Sequence, residues 1–160
     1  MASRTSEPAR PQRSAAEGSV DEIDSAILSA LVADGRATLS KLSQETGLSV
    51  SAVQSRVQKL ERRGVIERYR AVVNHEALGR PISAFVSITP LDYSRQSEIP
   101  DKLAEIAGVE SCYSIAGAPS YMLLVRTGSP TELEELLNEI HSTVPVSTQT
   151  TLILQTYFEE

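Results

Sequence analysis

Residues 38–64 read TLSKLSQETGLSVSAVQSRVQKLERRG, and the spacing inside this stretch decides the fold of the first half of the chain. Thr38 caps a short helix whose Leu39 and Leu42 point one way. Gly47 stops that helix with the left-handed backbone a tight turn needs. Ser49 caps a further helix that carries Val50, Val53, Val57 and Leu60 on one side and ends at Gly64. Upstream, Ser19-Val20-Asp21-Glu22 matches a capping box, and Asp21 with Asp24 offers a second cap two residues on. Ile23, Ile27, Leu28 and Leu31 then give an apolar face that runs to Asp34-Gly35. Helix, helix, short glycine turn, helix is the spacing of a helix-turn-helix, expected over residues 20–64.

The side of the third helix opposite its apolar stripe holds Ser51, Ser55, Gln58 and Arg62, with Lys59 beside them and Gln54 and Arg56 on the flanks. Short or neutral polar side chains suit base edges, and Arg and Lys suit phosphates or guanine. The N-terminal part of a recognition helix is what enters the major groove. Base-edge contact therefore falls to Ser51, Gln54 and Ser55, with Gln58 on the same face. Arg56, Lys59 and Arg62 are expected to grip phosphate or guanine, and Ser49 to touch backbone near the helix start. A lone basic helix is usually just a solvated face. Here the basic stripe coincides with the helix-turn-helix spacing, so double-stranded DNA is the expected partner.

Composition raises an objection to that partner. The chain has 160 residues and a net charge of −6, and an acidic protein ordinarily avoids nucleic acid. Resolved by segment, the acidity lies elsewhere. Residues 51–70 hold six basic side chains against Glu61 and Glu67, whereas residues 71–160 hold four basic against twelve acidic. Residues 1–19, rich in Ser, Ala, Arg and Pro, read as a flexible tail, either inert or a basic arm on the DNA backbone. No apolar run approaches the ~18 residues of a membrane span, and the N-terminal stretch lacks the apolar core of a signal peptide. The single Cys112 excludes a disulfide framework and a cysteine zinc site. A cytoplasmic protein with no membrane partner is expected.

Residues 65–81 read as a linker: Val65 to Val73 looks extended, as a wing or linker strand, and His75 to Pro81 looks like a hinge. Beyond it, residues 82–160 alternate strand and helix signals. Ile82 to Thr89 has period-two apolarity; a helix is expected over 98–107; Val109 to Ala116 and Tyr121 to Thr127 are strands joined through Gly117-Ala118-Pro119-Ser120. Ser129-Pro130-Thr131-Glu132 starts a helix with Leu133, Leu136, Leu137 and Ile140 inward, and Val146 to Phe158 is a last strand. The order βαββαβ is that of a ferredoxin-like plait, so the whole chain is α+β. One face of such a sheet has no helix to cover it and is either solvated or buried by another subunit.

These motifs carry a family resemblance. Val20-Asp21-Glu22-Ile23-Asp24, Asp34-Gly35-Arg36, Leu39 to Leu42, Thr46-Gly47-Leu48-Ser49, and Val53 through Arg56-Val57 to Gly64-Val65-Ile66 resemble the N-terminal half of the Lrp/AsnC (feast/famine) transcriptional regulators, above all their actinobacterial members. The likeness runs on to about Phe158. It implies a cytoplasmic DNA-binding regulator with a C-terminal ligand-binding plait of the kind called RAM or ACT-like. It also implies dimerisation through the sheet, assembly of four dimers into an octamer, and no catalysis. A small amino acid would act as effector between dimers, near the loop joining the second and third strands.

By position that effector loop is Gly117, Ala118, Pro119, Ser120 and Tyr121, with Leu152 and Leu154 of the last strand lining the same region across the interface. Many members have Asp where this chain has Ser120, and a neutral hydroxyl holds an ammonium group less firmly than a carboxylate does. Read without the resemblance, the loop is a plain hairpin connection. His75 and His141 are isolated, Cys112 reads as a small hydrophobe, and Glu132, Glu134, Glu135 and Glu139 read as a solvated helix face. Two rival classes remain: an amino-acid-sensing assembly module acting on a protein partner, and a small ferredoxin-like enzyme. The first would expose apolar anchors on the third helix, and the second would need a convergent polar set on the plait.

Overall fold

The computed structural model describes residues 19–158, so the expected 1–19 tail lies almost wholly outside the described residues. The chain divides into two compact units between Ala71 and Val72.

The N-terminal unit contains α1 (Glu22–Ala33), α2 (Leu39–Thr46) and α3 (Val50–Arg62). Each starts at a polar cap that satisfies a backbone N–H with no partner inside the helix. Asp21, and not Ser19, caps α1: its Oδ1 accepts from the Asp24 N–H at 2.7 Å, and the Asp24 carboxylate accepts in return from the Asp21 N–H at 3.5 Å. Thr38 accepts from Lys41 and Ser49 from Ala52. Gly47, at φ 70°, turns the chain between α2 and α3, and Ser43 Oγ ties that turn by donating to the Leu48 carbonyl. Ile27, Leu42, Val53 and Leu60 form the buried centre, flanked by Ile23, Leu28, Leu31, Leu39, Val57 and Ile66. Val50 was expected on this side but is 43% exposed. At ~100° per residue it sits about 70° off the centre of the Val53–Leu60 stripe.

After Gly64 the expected wing or linker strand is absent. The N–H groups of Val65 and Ile66 both return to the Leu60 carbonyl, and Tyr69 donates from its hydroxyl to Glu61, but residues 67–74 form neither helix nor strand. A strand needs a ladder, and the chain offers this segment none.

In the C-terminal unit, β1 (Ile82–Pro90), β2 (Val109–Ser114), β3 (Tyr121–Thr127) and β4 (Val146–Ile153) form one antiparallel sheet in the order β2-β3-β1-β4. With α4 (Ile99–Leu103) and α5 (Pro130–Thr143) this is the βαββαβ plait. Ala84, Val86, Ile88, Leu123 and Val125 face a core completed by Ile99, Leu103, Leu133, Leu136 and Ile140 of the two helices. The alternate residues Phe85, Leu124 and Thr151, neighbours across three strands, lie on the opposite face, where Phe85 is 42% exposed.

Two boundaries differ from expectation. The helix expected at 98–107 is a 3-10 turn over Tyr93–Glu98 followed by the short α4. Asp92 starts the turn early by accepting from the Ser94 N–H, and Pro100 has no N–H with which to continue a helix from upstream. Strand β4 stops at Ile153, short of Phe158, because its partner β1 runs out at the Ser83–Ile153 pair. β4 is thereby an outer strand, and its free side carries ladder groups without a neighbour in the sheet. β2 bulges at Glu110, between Val109 and Ser111. The bulge re-aims the Glu110 carboxylate, which accepts from Arg126 Nε at 2.8 Å and lies 3.5 Å from His75 Nδ1 and 3.6 Å from an Arg80 guanidinium nitrogen. The turn that precedes β1 is therefore held at the sheet edge by charge.

Candidate nucleic-acid interface and effector loop

The helix α3 presents two unlike faces. Val53 and Leu60 are buried, while Ser51, Gln54, Ser55, Gln58, Lys59 and Arg62 are all exposed. The first two turns of the exposed face are uncharged. Lys59 and Arg62 stand in the last turn, where cations complement the negative end of the helix dipole. Ser49 is exposed too but is occupied as the cap, and its hydroxyl is 3.2 Å from that of Ser51.

Arg56 is placed differently from the rest. One guanidinium nitrogen lies 2.6 Å from Asp21 Oδ2 and 2.7 Å from Asp24 Oδ1, so the side chain points to the start of α1. Asp24 is 4% exposed, which makes it a buried carboxylate with a cation and a backbone N–H as partners. The hydrogen bond that Arg56 donates to Asp21 raises its pKa further above neutrality, and the one it donates to Asp24 adds to that. The Asp24 N–H and then the Arg56 guanidinium hold the Asp21 carboxyl below the usual carboxylate range. Asp34 is lowered as well, first by the Arg36 N–H and then by Lys41. Asp21 and Asp24 were not singled out from the sequence except as caps.

A pH dependence follows with a definite sign. A carboxyl whose pKa is lower in the folded state stabilises that state above its unfolded pKa and loses the contribution as acid protonates it. The melting temperature of the N-terminal unit should therefore hold from neutrality to about pH 5 and fall below about pH 4, where free carboxylates titrate. Circular-dichroism melts across that range measure it, and an Asp34→Asn chain should show a shallower fall. A flat profile in both proteins would remove the carboxylates from the stability of this unit.

The expected effector loop joins β2 to β3. Gly117 has φ 115°, a conformation that a side chain would strain. The Ser120 N–H donates to the Ile88 carbonyl at 3.0 Å, pinning the loop end against β1, and Ser120 is buried. Gly117 and Ala118 are exposed, with Pro119 half-buried. Tyr121 faces the core, and its hydroxyl donates to the Gln96 carbonyl, so the loop offers the exposed backbone of Gly117 and Ala118 without that ring. Leu152 pairs with Ala84, four residues along β1 from the loop end at Ile88, a strand distance of ~14 Å. Leu154 follows β4 and is 95% exposed. A single chain does not bring Leu152 and Leu154 to the loop.

Residues 20–67 match the winged helix-turn-helix DNA-binding family, and residues 83–160 match the Lrp/AsnC ligand binding domain. The HTH-type transcriptional regulator LrpA of Mycobacterium tuberculosis is 53% identical over 141 residues, 88% of this chain and 94% of its own length. The chain belongs to the Lrp/AsnC family. The proline dehydrogenase transcriptional activator of Rhizobium radiobacter is 35% identical over 88% of this chain and 92% of its own. A solved structure of the M. tuberculosis feast or famine regulatory protein complexed with L-methionine superposes with a TM-score of 0.86, at 53% identity, over 89% of this chain and 97% of that one.

This Lrp/AsnC protein is thus a helix-turn-helix transcriptional regulator with a C-terminal ligand-binding domain. Its other polar candidates are accounted for by surface position or a local contact. His141 Nε2 is 2.9 Å from the Thr148 hydroxyl. Glu132 accepts from the Gly128 N–H, and Glu134, Glu135 and Glu139 lie on the exposed side of α5. Burial pushes the Cys112 thiol up, which keeps it protonated and unreactive near neutrality. No group of three or more His, Cys, Asp or Glu side chains among the described residues is placed to hold a metal ion.

Proposed function

We propose that this Lrp/AsnC regulator is a cytoplasmic, non-enzymatic homodimer that assembles to an octamer, reads a specific operator and answers to a free α-amino acid. The observation that carries the reading is the exposed face of α3: neutral hydrogen-bonding side chains over two turns, then two cations, with the apolar stripe buried beneath. Ser51, Gln54, Ser55 and Gln58 are offered to base edges. Lys59 and Arg62 are offered to phosphates, with the Ser49 turn approaching the backbone. The face is without the large apolar anchors a protein partner would seek.

Gln presents a carbonyl and an amide side by side and pairs best with adenine N6 and N7. Against an operator selected in vitro from random 30-bp duplexes, Gln54→Ala should cost about 1–3 kcal/mol and relax preference at one base pair. Lys59→Ala should weaken all duplexes alike and lower the salt slope by about 0.9 per phosphate released. Full affinity and unchanged preference in both variants would sink the assignment.

Support for dimerisation through the sheet comes from Phe85, Leu124 and Met122, apolar side chains on the face that the helices leave open. Phe85→Asp would place an unpaired carboxylate in that interface, so the chain should elute as a monomer by light scattering; an undisturbed oligomer would argue against this face.

For the effector, the L-methionine bound by the 53% identical relative makes methionine the first amino acid to test. The ligand would lie against the Gly117–Ser120 backbone, with Leu152 and Leu154 supplied by another copy. A thermal-shift screen of the twenty amino acids, followed by operator binding with each hit, tests it. No shift from any of them would leave the loop a plain hairpin.

A further inference from the structure

We infer that Asp21 and Asp24 are positioning residues for DNA reading, holding α3 at its working rotation through Arg56, and that Arg56 itself does not contact DNA. The inference rests on α3 being the reading helix, as proposed above, and goes beyond it by giving α1 a part in specificity.

The apolar stripe of α3 holds it through Val53 and Leu60, both fully buried. Apolar contact is non-directional and leaves rotation about the helix axis weakly determined. A second, directional restraint off that stripe is needed to set the rotation, and Arg56 supplies one. At ~100° per residue it lies about 50° to one side of the Val53–Leu60 stripe and about 140° from the middle of the Ser51–Gln58–Arg62 face. Its 2.6 Å and 2.7 Å contacts are charge-assisted, and both acceptors belong to the first turn and cap of α1. Asp21 and Asp24 also cap one another's backbone N–H, so the receiving site is itself fixed. The magnitude matters for recognition. Side-chain tips stand ~5–6 Å from a helix axis, so a rotation of about 20° moves them ~2 Å, enough to break a base contact of ordinary length.

Charge arithmetic gives the opposite prediction to positioning, which makes the inference sharp. Removing a carboxylate beside a DNA-binding helix lowers repulsion and, by charge alone, strengthens binding. If the carboxylate positions α3, its removal weakens specific binding instead. Asp21→Asn is the cleanest change, because Asn caps a helix as well as Asp does and α1 keeps its start.

The test is a titration of the selected operator and of an unrelated 30-bp duplex with full-length wild type, Asp21→Asn, Asp24→Asn, Arg56→Lys and Arg56→Ala, each at several salt concentrations. The expected result is a loss of about five- to tenfold in operator affinity for Asp21→Asn, with affinity for the unrelated duplex and the salt slope unchanged. Arg56→Lys should recover part of what Arg56→Ala loses, and neither should change the slope. A partly unfolded domain would lose both duplexes together, and melts in parallel identify it. Asp24→Asn is expected in that class because the residue is buried, and Asp21→Asn then decides alone. The inference is overturned if Asp21→Asn binds the operator as well as wild type or better, or if Arg56→Ala lowers the salt slope by about 0.9. A wild-type protein that selects no operator sinks the DNA-reading proposal, a different outcome from selection followed by indifference to Asp21.

Discussion

Leu60→Ala is expected to abolish operator binding near 37 °C while the C-terminal unit stays folded. Among the described residues of the N-terminal unit, Leu60 is one of four fully buried hydrophobic side chains, and it is 1% exposed. Truncating a buried Leu to Ala costs about 2–5 kcal/mol, and the higher end applies where neighbours cannot collapse into the space. Here the neighbours are the α1 and α2 side chains Ile27 and Leu42, each held by its own helix. A unit of roughly fifty residues has a stability of only about 2.5–8 kcal/mol at the usual 0.05–0.15 kcal/mol per residue. The loss is therefore comparable with the whole. Helix content should fall in an early transition, and a later one should persist, because the sheet has a separate core. A single transition at the wild-type temperature would show that the two cores melt as one and that the small one is stronger than its size implies.

Gly108→Ala should do to the C-terminal unit what Leu60→Ala does to the other. Gly108 has φ 91°, and a Cβ there would stand 2.7 Å from Leu136 Cδ1 and 3.1 Å from the Arg126 carbonyl oxygen. Leu136 is 4% exposed, so it has little room to swing away. The Arg126 oxygen is backbone, and the Arg126 N–H is held at 2.9 Å by the Gly108 carbonyl itself. A left-handed backbone in Ala costs about 1–2 kcal/mol and forced overpacking about 1–3 kcal/mol, so about 2–5 kcal/mol in all. For a unit of this size that lowers the melting temperature by about 10–25 °C. Operator affinity at low temperature should survive, and with it any oligomer that still folds. A wild-type melting temperature would mean that β3 can shift away from the turn at no cost.

What could be read from the sequence was whatever is local. Thr38, Gly47 and Ser49 announce the turn between α2 and α3 because a cap or a left-handed residue acts within three or four positions. The strands announce themselves through alternation, as in Ile82 to Thr89, because one buried face imposes a period of two. What the sequence concealed depends on partners far along the chain. Arg56 looked like a DNA contact by residue type, yet its partners are 32 and 35 residues upstream. Only its angle on the helix, away from the polar stripe, hinted at this. Val65 to Val73 has the composition of a strand, but a ladder is a property of two segments. The end of β4 was overrun for the same reason, since β1 stops first. In the effector loop, the identity of Tyr121 suggested a ligand contact, while strand register turns its ring into the core. Register cannot be read from a residue's chemistry.

One feature of the plait bears on how the chain survives in solution. From Ser142 to Phe158 there is no charged side chain, and β4, in the middle of that run, is an outer strand. Edge strands ordinarily carry a Lys, an inward charge or a Pro that discourages a second strand from adding on; here threonines, glutamine and aliphatic residues favour it. A free copy is thus a template for strand-on-strand growth, and any neighbour that covers β4 also blocks that growth. Shelf life should then track the concentration of uncovered chains more closely than the strength of the core, so conditions that split the assembly at high protein concentration are where this protein is most exposed to precipitation.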